Sequence, residues 1–261
     1  MATRNIKLTI SYDGLNYSGW QNQPGKNTIQ GCLQQSLGEL TGTFIKINGA
    51  SRTDAGVSAL GQVANFLIDS PIPTKNFVKT FNHRLPRDIV VTEAVEVDKD
   101  FDASSSAKCK LYRYTIFTGK NRNVLKTRNC WHRSNPLDIA AMDVAAKMLL
   151  GTKDFKSFAS AADKRTDSIR TILRCEVYSS KSPFSITSHE PRVTSDEWVF
   201  IDIEADRFLY NMVRNIVGTL VEVGREKWKP EKIDEILEAK DRKAAGPIAP
   251  AAGLCLMWIK Y

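Results

Sequence analysis

Ile6, Leu8, Ile10 and Tyr12 alternate with other residues, a period of two that predicts a strand running up to Asp13-Gly14. The period then changes. Ile29, Cys32, Leu33, Ser36, Leu37 and Leu40 share one face at helical spacing, which predicts a helix capped by Thr28 and closed by Gly42. Phe44 to Ile47 and Gly61 to Ile68 both read as strands on either side of a polar turn. Pro71 and Pro73 break the chain, Asn76 to Arg84 reads as a short helix, and Ile89 to Val97 as a fourth strand. The order β-α-β-β-α-β is the split βαβ, or ferredoxin-like, unit.

The remaining pattern predicts a second unit of the same order. Leu111 to Phe117 reads as a strand. Ser134 or Asn135 is placed to cap a helix with Pro136 in its first turn, carrying Ile139, Met142, Ala146, Leu149 and Leu150 before Gly151. Strands follow at Ile169–Tyr178 and Trp198–Glu204. A long helix is expected from Phe208 to Val223, another from Pro230 to Ala239, and a closing strand from Gly253 to Ile259. The fold class is therefore α+β, two ferredoxin-like halves packed through antiparallel sheets. The connector Phe101 to Cys109, with Ala103-Ser-Ser-Ser106, divides an N-terminal domain, 1–105, from a C-terminal domain, 106–261.

Charge refines this division. The net +8 is not spread evenly: residues 101–170 carry 14 basic and 6 acidic side chains, whereas 1–100 carry 10 and 9, and 171–261 carry 13 and 14. Lys120, Arg122, Lys126, Arg128 and Arg133 follow one another with no acid between them, beside Trp131 and His132. A basic loop with an aromatic suits a phosphate backbone and a stacked base, and a loop kept soluble by its charge would show the same composition. No apolar run reaches the length of a membrane span, and the N-terminal residues lack an apolar signal region, so a cytoplasmic protein is expected. Five scattered cysteines with no Cys-x-x-Cys pair argue against a disulfide framework and a zinc site. The glycines of Gly14 to Gly19 mimic a phosphate loop, but Trp20 stands where lysine is needed. The three histidines lack metal-ligand spacing, and no Gly-x-Ser-x-Gly elbow is present.

The polar turn between the second and third strands holds Ser51-Arg52-Thr53-Asp54-Ala55-Gly56-Val57-Ser58. An Asp on such a turn is fixed by the sheet yet open to a ligand, and the neighbouring Arg52 is expected to favour its ionised, nucleophilic form. On spacing alone, Asp54 serves equally as a turn residue capping backbone N–H groups, with Arg52 solvated.

The string Arg-Thr-Asp-Ala-Gly-Val resembles the nucleophile motif of the bacterial tRNA pseudouridine synthase A (TruA) family. The resemblance continues, in order, through Tyr12-Asp13-Gly14-x-x-Tyr17-x-Gly19-Trp20-Gln21, Lys110-Leu-Tyr112-Arg-Tyr114, Phe208 to Gly218, and Ala249 to Leu254. It implies the two-domain α+β architecture with an RNA-sized cleft between the halves. It also implies conversion of uridine to pseudouridine in the tRNA anticodon stem-loop, at nucleotides 38 to 40, by a homodimer without cofactor. By the same resemblance Asp54 is the nucleophile, and Arg214 is the arginine that pairs with it, on a helix whose Val and Ile content suggests a largely buried side chain. Tyr112 is the tyrosine packed against the target base, and Arg52 the arginine that enters the RNA as the base leaves. Read on residue chemistry alone, Tyr112 also fits a core-filling strand tyrosine, and Arg52 a phosphate anchor. Lys120, Arg122, Lys126 and Arg128 are the candidate backbone contacts.

Three departures stand out. Ser58 occupies the position where the family has His, Ser51 replaces a Gly, and Phe101-Asp-Ala-Ser-Ser-Ser-Ala107 lacks the Arg and second Phe of the family connector. These losses bear on RNA positioning and substrate range rather than chemistry. The alternative is a non-catalytic RNA-binding or RNA-folding protein on the same scaffold. Retention of Asp54, Arg52, Tyr112 and Arg214 argues against it.

Overall fold

The computed structural model describes residues 3–122, 124, 127–180 and 197–261. In chain order, the first elements are β1 (Arg4–Tyr12), α1 (Ile29–Thr41), β2 (Asn48–Gly49), β3 (Ser58–Ile68), α2 (Asn76–Arg84) and β4 (Ile89–Val97). Then come β5 (Cys109–Thr118), β6 (Trp131–His132), α3 (Ile139–Lys147), β7 (Gly151–Asp154), β8 (Ile169–Ser180), β9 (Glu197–Ala205), α4 (Met212–Gly224), α5 (Lys232–Ala239) and β10 (Leu254–Lys260). The chain forms two compact units, residues 1–108 with 255–261, and residues 109–254. The fold class is α+β, with antiparallel pairing dominant in both units.

In the first unit β1 lies between β4 and β3, antiparallel to both, and β2 pairs antiparallel with β3. The spatial order β4-β1-β3-β2 is that of the split βαβ unit. The alternation in β1 buries Ile6, Leu8 and Ile10, and the helical spacing of α1 buries Ile29, Leu33 and Leu37, all without solvent exposure. Phe66, Phe77 and Phe81 pack edge-on or tilted against one another beside α2. Thr28 caps α1 by accepting from the Gly31 N–H, and Gly42 closes it in the left-handed region. The expected strand at Phe44–Ile47 does not form: only Asn48 and Gly49 pair with β3, while Phe44 is 76% exposed. The last strand, β10, read from the sequence as closing the second half, lies in the first unit and runs parallel to the start of β3.

In the second unit the strand order is β5-β9-β8-β7, antiparallel throughout, with β6 added parallel to β5. One face buries Tyr114, Ile116, Ile201 and Ile203, and α3 packs on α4 with Met142, Ala145, Ala146, Ile216 and Val217 fully buried. Two helix starts differ from expectation. Asp138, not Ser134 or Asn135, caps α3, because its carboxylate is the group that reaches the Ala141 N–H (2.9 Å). The helix expected from Phe208 begins at Met212, because Asn211 sits at φ 62°, outside helical backbone.

Candidate active site

Asp54 ends an extended segment and opens a tight turn in which the Val57 N–H donates to the Asp54 carbonyl (3.1 Å) and Gly56 takes φ 79°. The turn is tied from beneath. Thr53 is buried, and its hydroxyl meets the Tyr12 hydroxyl at 2.8 Å, while its carbonyl accepts from the Trp20 N–H at 3.0 Å. The carboxamide of Gln62, one turn of strand away in β3 and fully buried, donates to the Ser51 carbonyl (2.6 Å) and accepts from the Ser51 N–H (3.2 Å). The same amide donates to Tyr12 at 3.3 Å. The Gly56 N–H reaches the Tyr17 carbonyl, and a side chain on Gly14 would collide with the Val57 carbonyl oxygen. The early stretch Tyr12 to Trp20 is therefore the floor of the Asp54 turn. Its own anchor is the Tyr17 hydroxyl, which donates to Asp88 (2.6 Å); burial and that carboxylate push the phenol well above its ordinary range. Asp54 is left half-buried on a backbone with little freedom to move.

Two residues of this turn take positions that the sequence left open. Arg52 is exposed and makes no hydrogen bond or ion pair among the described residues. Thr53, anchored inward, leaves Arg52 on the solvent side. Ser58 is buried, and its hydroxyl accepts the Gly14 N–H at 3.0 Å, so this side chain braces the floor of the turn rather than facing RNA.

In the second unit, Tyr112 on β5 is 6% exposed and meets the Phe208 ring edge-on at 5.2 Å. Two residues earlier on that strand, burial lowers the Lys110 ammonium to about 8. Tyr114 donates to the Pro250 carbonyl at 2.7 Å; burial raises its phenol far above the ordinary value, opposed by the nearby charge of Arg214. Arg214 projects from the first turn of α4. Its Nε donates to the Ala249 carbonyl (2.8 Å), its Nη1 to the Asn211 side chain (3.4 Å), and its own carbonyl accepts from the Ala249 N–H (3.1 Å). Residues 247–250 approach α4 so closely that a side chain at Gly218 would overlap the Pro247 carbonyl oxygen. Arg214 is half-buried, rather than largely buried as its helix's Val and Ile content suggested.

The turn feeding α4 is held by Asp163, which no sequence signal singled out. Its carboxylate accepts from Arg165 (2.6 Å) and from the Tyr210 N–H (3.0 Å), while the Ser160 N–H donates to the Tyr210 carbonyl. Arg165 and the Tyr210 N–H keep this carboxyl far below its ordinary value against the cost of burial. Arg113, between the two tyrosines in sequence, faces the other side of the sheet and forms a bidentate pair with buried Asp202 (2.7 and 2.8 Å). Its role is structural.

The basic loop is closed at its base: Ile116 and Phe117 pair with Trp131 and His132, and His132 Nε2 lies 2.7 Å from the Gly119 carbonyl. Lys120, Arg122 and Arg128 are exposed on it, and Lys126 lies outside the described residues. In the connector, the Asp102 carboxylate accepts from the Ser104 and Ser105 N–H groups, and Tyr261 donates to the Ala103 carbonyl. Among the described residues, no three His, Cys, Asp or Glu side chains gather as metal ligands, and no helix is long and apolar enough to cross a membrane.

The first unit thus carries Asp54 on a locked turn, and the second a buried Tyr112 and an anchored Arg214. A family model for tRNA pseudouridine synthase matches residues 8–104 and 145–261, segments that contain Asp54 and Arg214. Over 258 residues the chain is 43% identical to the tRNA pseudouridine synthase A of Acetivibrio thermocellus, covering 99% of this chain and all of that protein. It is 44% identical to the enzyme of the same name from Moorella thermoacetica, covering 98% and 99%, and 42% identical to that of Geobacillus kaustophilus over 261 residues, covering 99% and 95%. The chain belongs to the tRNA pseudouridine synthase family and is an enzyme of that kind, an isomerase that modifies tRNA.

Proposed function

We propose that this enzyme isomerises uridine to pseudouridine in the tRNA anticodon stem-loop, at nucleotides 38 to 40, with Asp54 as the nucleophile. The reaction is an isomerisation: the bond from the ribose carbon to N1 of the uracil breaks, the ring turns, and a bond forms from the ribose carbon to C5, which gives up its proton while N1 gains one. No electron donor or acceptor is required, and the enzyme works without a cofactor. A nucleotide within a folded stem-loop is out of reach until it is flipped from the stack.

The observation that carries this reading is the setting of Asp54, whose turn is fixed by Thr53, Gln62, Tyr12 and Trp20 while the carboxylate stays half-buried. A nucleophile held this way does not need to be ordered when substrate arrives. Tyr112, with its ring held by Phe208, packs against the uracil and serves as acid or base at the ring carbon. Arg214 supplies the cation for the nucleophile's carboxylate. Arg52, exposed and without a partner among the described residues, enters the RNA as the base leaves. Lys120, Arg122, Lys126 and Arg128 contact backbone phosphates. The first unit carries the nucleophile turn and the second the tyrosine and arginine, and the enzyme acts as a cytoplasmic homodimer.

Mapping pseudouridine in tRNA from cells with and without this protein tests the choice of nucleotides. Signals at 38 to 40 that vanish with the protein support it; loss confined to another arm of the tRNA sinks it.

A further inference from the structure

Arg133 leaves β6 with its backbone N–H on the Phe117 carbonyl (2.9 Å) and its guanidinium 4.8 Å from the centre of the Trp131 ring. Stacking of this kind holds the fork in place and leaves its N–H edges free to bind. The Arg133 Nε is buried and has no hydrogen-bond partner among the described residues. The acid acting on Arg133 is Glu222, near the end of α4, and both its oxygens are already engaged, by Arg225 at 2.8 Å and Lys227 at 3.0 Å. Despite burial, Lys227 and Arg225 keep that carboxyl below its ordinary value, so it stays ionised. Arg225 and Lys227 thus share the Glu222 carboxylate, while the Arg133 guanidinium is ordered by Trp131 and has no acceptor among the described residues. The buried Nε lies beyond a ligand's reach, but the outer N–H groups of this half-buried residue have no partner among the described residues and are open to an anion.

The cluster's place narrows the ligand. Trp131 meets the Tyr114 ring edge-on at 6.3 Å, and Tyr114 feels the charge of Arg214. Two aromatic side chains therefore separate Arg133 from the active-site arginine of the same unit. The polyanion that this enzyme must hold is tRNA, whose phosphates recur along every strand near the reacting nucleotide.

We propose that Arg133, supported by Trp131, is the seat of one tRNA backbone phosphate close to the reacting nucleotide. The inference rests on tRNA being the substrate. It adds a fixed contact beside the exposed cations of the loop, and it positions the strand rather than taking part in the chemistry. Glu222 tempers the cluster, keeping Arg225 and Lys227 partly neutralised.

The test is a salt titration of binding between the full-length protein and an unmodified tRNA transcript. Arg133→Gln should lower the slope of log affinity against log salt by about one and weaken binding roughly tenfold at physiological salt. Its steady-state loss should fall mainly on KM. Glu222→Gln should do the opposite, steepening the slope and tightening binding, because it releases two cations. Arg133→Lys should recover much of the slope. Slopes equal to the parent's in both Arg133→Gln and Glu222→Gln would overturn the proposal and leave Arg133 a packing residue of Trp131. If Arg133→Gln fails to fold, Glu222→Gln decides alone, and an unchanged slope there overturns it. A parent protein that does not bind tRNA would instead remove the functional reading on which this site depends.

Discussion

The turn carrying Asp54 and the loop carrying Lys120, Arg122 and Arg128 are both short polar excursions from a strand, and they are built in opposite ways. The Asp54 turn is pinned along its length by buried partners in β1, β3 and the segment before α1. The basic loop is fastened at its base by β6 and His132, and its charged side chains stand in solvent. The difference fits the roles proposed for each. A reacting carboxylate loses rate with every fraction of an ångström of misplacement. A cation facing a polyphosphate works over several ångströms and gains from freedom to follow the strand. One region should therefore govern the chemical step and the other affinity.

Substitutions that strike one region alone sharpen this contrast. After loss of the Asp54 carboxylate itself, the largest effect is expected from Tyr112→Phe, which keeps the ring against Phe208 and removes only the hydroxyl. Single-turnover rates should fall about a hundredfold or more while tRNA affinity holds within a few-fold, the range typical of losing a general acid or base. A rate within twofold of the parent would reduce Tyr112 to a packing residue.

Next in size is the triple replacement of Lys120, Arg122 and Arg128 by Ala. The salt slope of tRNA binding should drop by about three, and the single-turnover rate at saturating enzyme should change little. A large fall in that rate with an unchanged slope would invert the comparison.

Asp163→Asn probes the brace beneath Arg214. The folded carboxyl titrates below its unfolded value of about 3.9, so its contribution is complete above that pH and disappears as the pH falls through the folded value. The Asn variant should lose roughly 1 kcal/mol at neutral pH, a modest figure because Arg165 is half exposed, or about 2–4 °C in melting temperature. Its melting temperature should also fall less steeply than the parent's between pH 5 and pH 2. Parallel pH curves for the two proteins would mean Asp163 does not hold that turn.

Ser58→Ala should give the smallest change, about 1 kcal/mol from leaving the Gly14 N–H without its acceptor, with tRNA affinity unaltered. Altered affinity with unaltered stability would return position 58 to the RNA-facing surface.

Much of this architecture is legible in the sequence, and where the structure differs the causes are identifiable. The boundaries of α2 and β4 follow directly from Pro71, Pro73 and the alternation after Asp88. Phe44 to Ile47 misled because an apolar run was taken for strand pairing. Ile47 is buried, but Phe44 faces solvent, and the ladder to β3 starts only at Asn48. The entry to α4 was placed too early because helical spacing cannot register a single left-handed residue, here Asn211. Within the site, the motif containing Arg52 and Asp54 stood out in the sequence. What secures it did not, because Tyr12, Trp20 and Gln62 reach the turn only through the pairing of β1 with β3 and the loop that follows β1. Asp163 went unseen for the same reason: its partner N–H, on Tyr210, is 47 residues away.

The claim at the centre of this account is that the carboxylate on the pinned turn performs the chemistry and that affinity is borne elsewhere. Asp54→Asn is nearly isosteric and keeps the turn's backbone contacts. Measured by pseudouridine formation in a tRNA transcript under single-turnover conditions, alongside direct binding to the same transcript, it should give no detectable product and an affinity within a few-fold of the parent. Residual turnover above contamination in a clean preparation would contradict the account and remove Asp54 from the role of nucleophile.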